Sequence, residues 1–185
     1  MTARQLCSAL ILAAVLAAPA RAQADRKDDE IFRDVSGVVL SYTRFTIFDD
    51  VSAAISDGVV RLEGKVTMPF KRTDIERRVA HIAGVRRIDN GIQVLPVSIF
   101  DDGLRFAVAR AIYGNSLFWQ YASMPNPPIH IIVENGRITL TGVVANEVER
   151  MLARSLATAF NAFSVTNRLK TDDEMRAILD RKRPS

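Results

Sequence analysis

Chemistry-bearing side chains are scarce in this chain. It has one cysteine, Cys7, and two histidines, His81 and His130. Cys7 stands at the head of an apolar run, so cleavage of that segment after Ala24 leaves no thiol. Disulfides, thiolate metal sites and cysteine nucleophiles are then excluded together. His81 falls in a helical pattern beside arginines, and His130 on a strand pattern between Ile129 and Ile131, neither with a triad-like neighbourhood. The sequence contains no Gly-rich nucleotide loop and no His-Glu-x-x-His run. The acidic clusters Asp28-Asp29-Glu30 and Asp101-Asp102 each precede a helical pattern, where they complement the positive end of the helix dipole. No further ligands are placed to turn them into metal sites. Catalysis has little support, no cofactor is implied, and binding is the expected activity.

A long hydrophobic run is also missing. The one from Leu6 to Ala18 is shorter than the ~20 apolar residues a spanning helix needs. Preceded by Arg4 and followed by small-x-small sites ending at Ala22-Gln23-Ala24, it reads as a signal peptide over residues 1–24. The expected protein is exported and periplasmic. Nor is there a strong excess of one charge: the net charge of +4 falls to +2 once Arg4 and Arg21 are removed. Strong nucleic-acid binding is therefore not implied.

What the chain does have is a repeat. Asp57-Gly58-Val59-Val60-Arg61-Leu62-Glu63-Gly64 returns as Asn135-Gly136-Arg137-Ile138-Thr139-Leu140-Thr141-Gly142, with both glycines at a 78-residue offset. Each copy opens with a helical pattern: Ile31, Val35, Val38 and Val39, then Leu104, Val108, Ala111 and Ile112. Alternating apolar residues flank Asp57-Gly58 and Asn135-Gly136 and predict a β-hairpin in each copy. Gly64 and Gly142 end the strand pairs, where they predict a backbone bend or a close approach to the following helix. A second helix follows, carrying Ile75, Val79, Ile82 and Ala83 in the first copy and Val148, Leu152, Leu156 and Ala159 in the second. Lys71, Arg72, Arg77 and Arg78, with Asp74 and Glu76, read as a solvated mixed-charge face of the first of these helices. The segments Val85–Ile92 and Phe163–Leu169 predict the closing strands.

The expected fold is α+β: two αββαβ modules, each a three-stranded sheet covered by two helices. The expected boundaries are residues 25–97 and 98–171, with 172–185 as a C-terminal tail or short helix.

These marks resemble the BON domain, which is found in tandem in exported bacterial envelope proteins and is named for an osmotically induced periplasmic protein and nodulation proteins. The resemblance rests on Gly58 to Gly64, on Gly136 to Gly142, and on the closing segments Gly84-Val85 with Ile88-Asp89-Asn90 and Val165-Thr166-Asn167-Arg168-Leu169. The second copy departs from the pattern with Ala162-Phe163 where Gly-Val is expected. The resemblance implies a non-enzymatic module associated with phospholipid or membrane surfaces, envelope integrity and osmotic stress. Its motifs define the fold and leave the ligand open.

The most unusual stretch runs from Gly114 to Pro128 and holds the only tryptophan. Leu117, Phe118, Trp119 and Tyr121, with Arg105 or Arg110 to meet lipid phosphates, form the candidate surface for membrane or partner contact, since ringed side chains with a polar handle suit the headgroup level. The competing reading places Phe118 and Trp119 in the core or in a seal between the modules. The corresponding linker of the first copy, Ser41–Phe48, is aromatic too and favours a shared structural role. Two partners follow: a phospholipid surface, or an envelope protein or wall component bound through an open sheet face or edge.

Overall fold

A computed structural model describes residues 27–182; the expected signal peptide, residues 1–24, lies outside the described residues. The first module begins with α1 (Asp28–Leu40), which buries Ile31, Val35 and Val39 along one stripe. Strands β1 (Asp50–Ser56) and β2 (Val59–Val66) pair antiparallel around Asp57-Gly58, where both residues take positive φ, +51° and +72°. Such a two-residue turn matches the twist of a hairpin and suits Asp-Gly. Helix α2 (Pro69–Ala80) starts on proline, whose missing N–H is no loss in a first turn. Strand β3 (Arg87–Val94) then lies parallel to β2, completing a sheet of order β1-β2-β3.

The second module repeats this plan. Helix α3 (Ile99–Tyr113) is followed by a 3-10 turn at Ser116–Phe118 and the short α4 (Trp119–Ala122). Strands β4 (Ile129–Glu134) and β5 (Arg137–Val144) form the hairpin, and Asn135-Gly136 repeats the turn with φ of +52° and +71°. Helix α5 (Glu147–Thr158) leads to β6 (Ser164–Asn167), parallel to β5. A two-residue strand β7 (Lys170–Thr171) also pairs with β5, and α6 (Asp172–Lys182) follows it. The protein is thus α+β, built from two repeated αββαβ modules.

The acids expected to precede the two opening helices lie within their first turns, and two of them have a further task. The Asp28 carboxylate accepts the amides of Asp57 (2.9 Å) and Gly58 (3.0 Å), and Asp101 accepts those of Asn135 and Gly136, both at 2.8 Å. Each clamps its own module's hairpin turn to the first helix. Side-chain amides tie the closing strand to the second helix in the same duplicated way, Asn90 donating to the Arg72 carbonyl and Asn167 to that of Arg150.

Four expectations need correction. Gly64 and Gly142 make their close approach to the hairpin partner and not to the following helix: an added Cβ would lie 2.0 Å from the Asp50 carbonyl oxygen and 1.8 Å from that of Pro128. On α5 the inward line is Glu149, Ala153 and Ala157, with Leu152 and Leu156 half-buried, so Val148 and Ala159 face solvent. The polar Glu149 holds the first inward position because its carboxylate has partners there. The register of the closing loop shifts by one residue, since Arg86 donates to the Gly58 carbonyl where Phe163 donates to that of Gly136. Asn161-Ala162 therefore stands where Gly84-Val85 does, and the Phe163 ring covers Gly136.

The fourth correction concerns Lys71, which is buried and not part of the solvated face of α2. Its ammonium donates to Asp49 (2.6 Å) and Thr67 (2.7 Å). The Asp49 carboxylate, fully buried, also accepts the amides and hydroxyls of Thr46 and Thr67. Burial works to raise its pKa, but Lys71 and these donors outweigh burial and hold it below the usual carboxylate range. The same position in the second module is Glu149, so the repeat has reversed the charge of its buried polar residue.

Candidate contact site

The loop between α3 and β4 is anchored from within. Asn115 accepts the Leu117 amide and opens the 3-10 turn. The successive turns of the 3-10 segment and α4 then send neighbouring side chains to opposite sides. Phe118 is fully buried and Tyr121 nearly so, their rings stacked with centroids 6.1 Å apart. The Tyr121 hydroxyl donates to Glu149 (2.6 Å) and accepts the Ala145 amide (3.0 Å). Burial, then the hydrogen bond to Glu149, pushes the Tyr121 pKa up to about 12, so it remains a donor across the physiological range. At the other end of the loop, the Tyr113 hydroxyl donates to the Ile129 carbonyl (2.5 Å) and accepts the Ile129 amide. The segment is a fixed platform and not a trailing loop.

Trp119 and Leu117 stand on its outer side, 65 % and 43 % exposed, and Arg110 is exposed on the last turn of α3. The six residues singled out from the sequence therefore divide, and Arg105 needs correction outright: it is buried, donating to the Val133 carbonyl (2.7 Å) and paired with Asp102, and does not face a headgroup. Leu117, Trp119 and Arg110 are at the surface, while Phe118 and Tyr121 belong to the second module's core. The turn and bend glycines Gly58, Gly64, Gly136 and Gly142 all take positive φ.

The first module's aromatic linker does something else. Its Ile47 and Phe48 pack against the second core, with Phe48 edge-on to Phe106 at a centroid distance of 5.2 Å. The Ile47 carbonyl accepts the outward-pointing amide of Ile131 on the edge strand β4 (2.7 Å). Phe45 lies against His130 at 5.6 Å, and Lys65 bonds to Glu134. His130, Ile132 and Glu134 alternate along β4, so the first module covers both the free edge and the outer face of that strand. Covering an edge removes a template for unwanted strand pairing. His130 lies in this contact through its ring, while its Nδ1 is buried without a hydrogen-bond partner among the described residues. Periodicity could not locate this contact, although the aromatic content of residues 41–48 marked the segment.

A second exposed apolar group escaped the sequence reading. Val97, Ile99, Phe100 and Phe163 are all more than half exposed, and the last two rings both approach Gly136. Among the described residues no group of His, Cys, Asp or Glu is arranged to hold a metal, and no helix is long and apolar enough to cross a membrane.

The BON domain family profile matches this chain twice, over residues 27–96 and 103–173. The chain belongs to the BON-domain family. BON domains as a family are known as non-catalytic binding domains, and membership supports an envelope or membrane-associated binding role. No significant match was found among curated proteins. Solved structures that it resembles include CdsD, a structural protein of the type III secretion system of Chlamydia trachomatis. That match has 14 % identity and a TM-score of 0.28, covering 84 % of this chain and all of the other. The C-terminal domain of the same protein matches at 12 % identity and a TM-score of 0.29, covering 79 % of this chain and 99 % of the other. At that level of superposition the likeness carries no weight for function.

Proposed function

We propose that this BON-domain protein is an exported, periplasmic binding protein that docks peripherally on phospholipid membrane surfaces through its second module, and so supports envelope integrity under osmotic stress. The observation that carries this reading is the rigid presentation of Trp119 and Leu117. Phe118 and Tyr121 fix the segment from inside, so little conformational freedom remains to be lost when the exposed pair meets a bilayer. An indole at headgroup depth, an aliphatic neighbour beside it and Arg110 within reach of lipid phosphate suit an interfacial contact.

The direct test is co-flotation with anionic and zwitterionic vesicles while following Trp119 fluorescence, the only indole signal in the chain. Salt-resistant flotation with a blue shift, lost on Trp119→Ala, is the expected result. Retained flotation of Trp119→Ala would remove the residue assignment, and no flotation at all would remove the membrane reading. The alternative, a scaffold for an envelope protein or the wall, is favoured by one feature: β3 ends the first sheet without a further strand along its outer edge among the described residues. Capture of a strand-like peptide there would show as amide shifts confined to β3.

A further inference from the structure

A cleft of about 550 Å3 lies in the first module, between the loop that follows α1 and the outer face of α2. Tyr42 forms its floor. Its ring is buried and its hydroxyl donates to Asp74 (2.8 Å). Burial and then Asp74 push the Tyr42 pKa up to about 12, which keeps that bond intact. The other Asp74 oxygen accepts from Arg77 (3.1 Å), so the cleft's single carboxylate is already matched by a cation.

Arg44 and Arg78 are left over. Neither pairs with a carboxylate among the described residues. The Arg78 guanidinium sits 4.8 Å from the Tyr42 ring centre, and that of Arg44 lies 5.2 Å from the Phe70 ring centre. Stacking on a ring immobilises a guanidinium while leaving its in-plane N–H donors unused. Those donors form a fork that matches phosphate oxygens. His81 closes one side, its Nδ1–H donating to the Arg77 carbonyl (2.6 Å). Exposed Met68 and Phe70 provide apolar surface nearby.

We infer that this cleft binds a phosphate monoester, with Arg44 and Arg78 as its principal contacts. Two surplus cations match a group carrying about −1.5 to −2 charge at neutral pH. The group reaches the site either on a lipid headgroup or on a small soluble molecule. The lipid form rests on the membrane-surface reading above and adds a headgroup preference to it, from a module that Trp119 does not belong to.

The test titrates the isotope-labelled protein with inorganic phosphate and with glycerol 3-phosphate, following amide shifts. It is paired with flotation on phosphatidylcholine vesicles with and without phosphatidic acid. Saturable shifts centred on Thr43 and Arg44 are expected. Arg44→Gln should weaken them at least tenfold, the loss expected for one charge-assisted contact. Arg44→Gln/Arg78→Gln should weaken them further, and Arg154→Gln on α5 should not. Because Arg78 also packs on Tyr42, each variant's melting temperature is measured, and Arg44→Gln alone carries the conclusion if the double variant melts early.

Saturation by glycerol 3-phosphate without added flotation assigns the site to a soluble ligand. Enhanced flotation on phosphatidic acid that is lost in Arg44→Gln assigns it to lipid. The inference is overturned if no probe moves Thr43 or Arg44 at millimolar concentration, or if Arg154→Gln weakens binding as much as Arg44→Gln. Flotation that Trp119→Ala abolishes and Arg44→Gln/Arg78→Gln leaves intact also refutes a lipid role for the cleft, while sparing the membrane reading.

Discussion

Replacing Asp49 with alanine should destabilise the protein far more than one substitution in a connecting loop ordinarily does. The carboxylate is fully buried and accepts five hydrogen bonds, from Lys71 and from the amides and hydroxyls of Thr46 and Thr67. Removing it leaves the Lys71 ammonium, 5 % exposed, with Thr67 as its remaining hydrogen-bond partner, and strands two backbone amides. Breaking a buried pair from one side costs about 3–5 kcal/mol, a large share of the roughly 5–15 kcal/mol that holds a domain together. For a protein of this length that corresponds to a fall of roughly 6–20 °C in Tm, read by circular dichroism. Asp49→Ala/Lys71→Met should recover part of the loss by removing the orphaned charge, but not all of it, since the Thr46 and Thr67 amides stay unpaired. The folded-state pKa of Asp49 is depressed, so its stabilisation is complete above the unfolded value of about 3.9 and is lost as pH falls through the lower folded value. Wild type and Asp49→Ala should therefore converge in strong acid. A single variant within 0.5 kcal/mol of wild type at neutral pH would refute the reasoning.

Gly142→Ala should cost at least about 1–3 kcal/mol, because φ is +110° and the new Cβ meets the Pro128 carbonyl. Gly103→Ala, on an open face of α3 with nothing within 4 Å, should stabilise by about 0.4–1 kcal/mol; urea denaturation distinguishes the two signs. Asp101→Ala should cost about 1–3 kcal/mol and speed hydrogen exchange at Asn135 and Gly136 specifically, since it removes the acceptor for both amides. Phe48→Ala should cost about 1–2 kcal/mol and open the contact between modules, read as faster exchange of the Ile131 amide, with the hairpin amides of each module unchanged.

The repeat, the hairpins and the helix order were legible because they depend on local rules. Asp-Gly and Asn-Gly announce their turns through the backbone region they tolerate, and apolar spacing marks helix faces to within about one residue. That one residue was enough to misplace the α5 face: Val148 and Ala159 fit the helical period as well as Ala153 and Ala157 do, and only the bonds that satisfy Glu149 decide between them. Lys71 was misread for a related reason. Its neighbours Arg72, Arg77 and Arg78 are exposed, and nothing in the sequence near Lys71 points to Asp49, twenty-two residues earlier. The aromatic loop was legible as unusual but not as divided, because alternation of Leu117 and Trp119 outward with Phe118 and Tyr121 inward depends on a 3-10 turn that periodicity does not register.

The two copies have kept their scaffold and diverged where contacts are made. The clamp from the first helix to the hairpin turn and the asparagine tie from the closing strand to the second helix occur in both, so each module retains what fixes its fold. The helix-to-strand loops are not equivalent. That of the first module is held by Asp49 and spends its aromatic residues on the second module, while that of the second is held by Tyr121 and Glu149 and leaves Trp119 outside. The reversal from Lys71 to Glu149 follows from this, since each buried residue must satisfy a different loop. An exchange of Lys71 and Glu149 between the modules should therefore destabilise both, because each would face a loop carrying the wrong partner. Divergence of this kind makes the pair a single asymmetric unit, with the first module's loop closing the β4 edge and the second's free to present an indole.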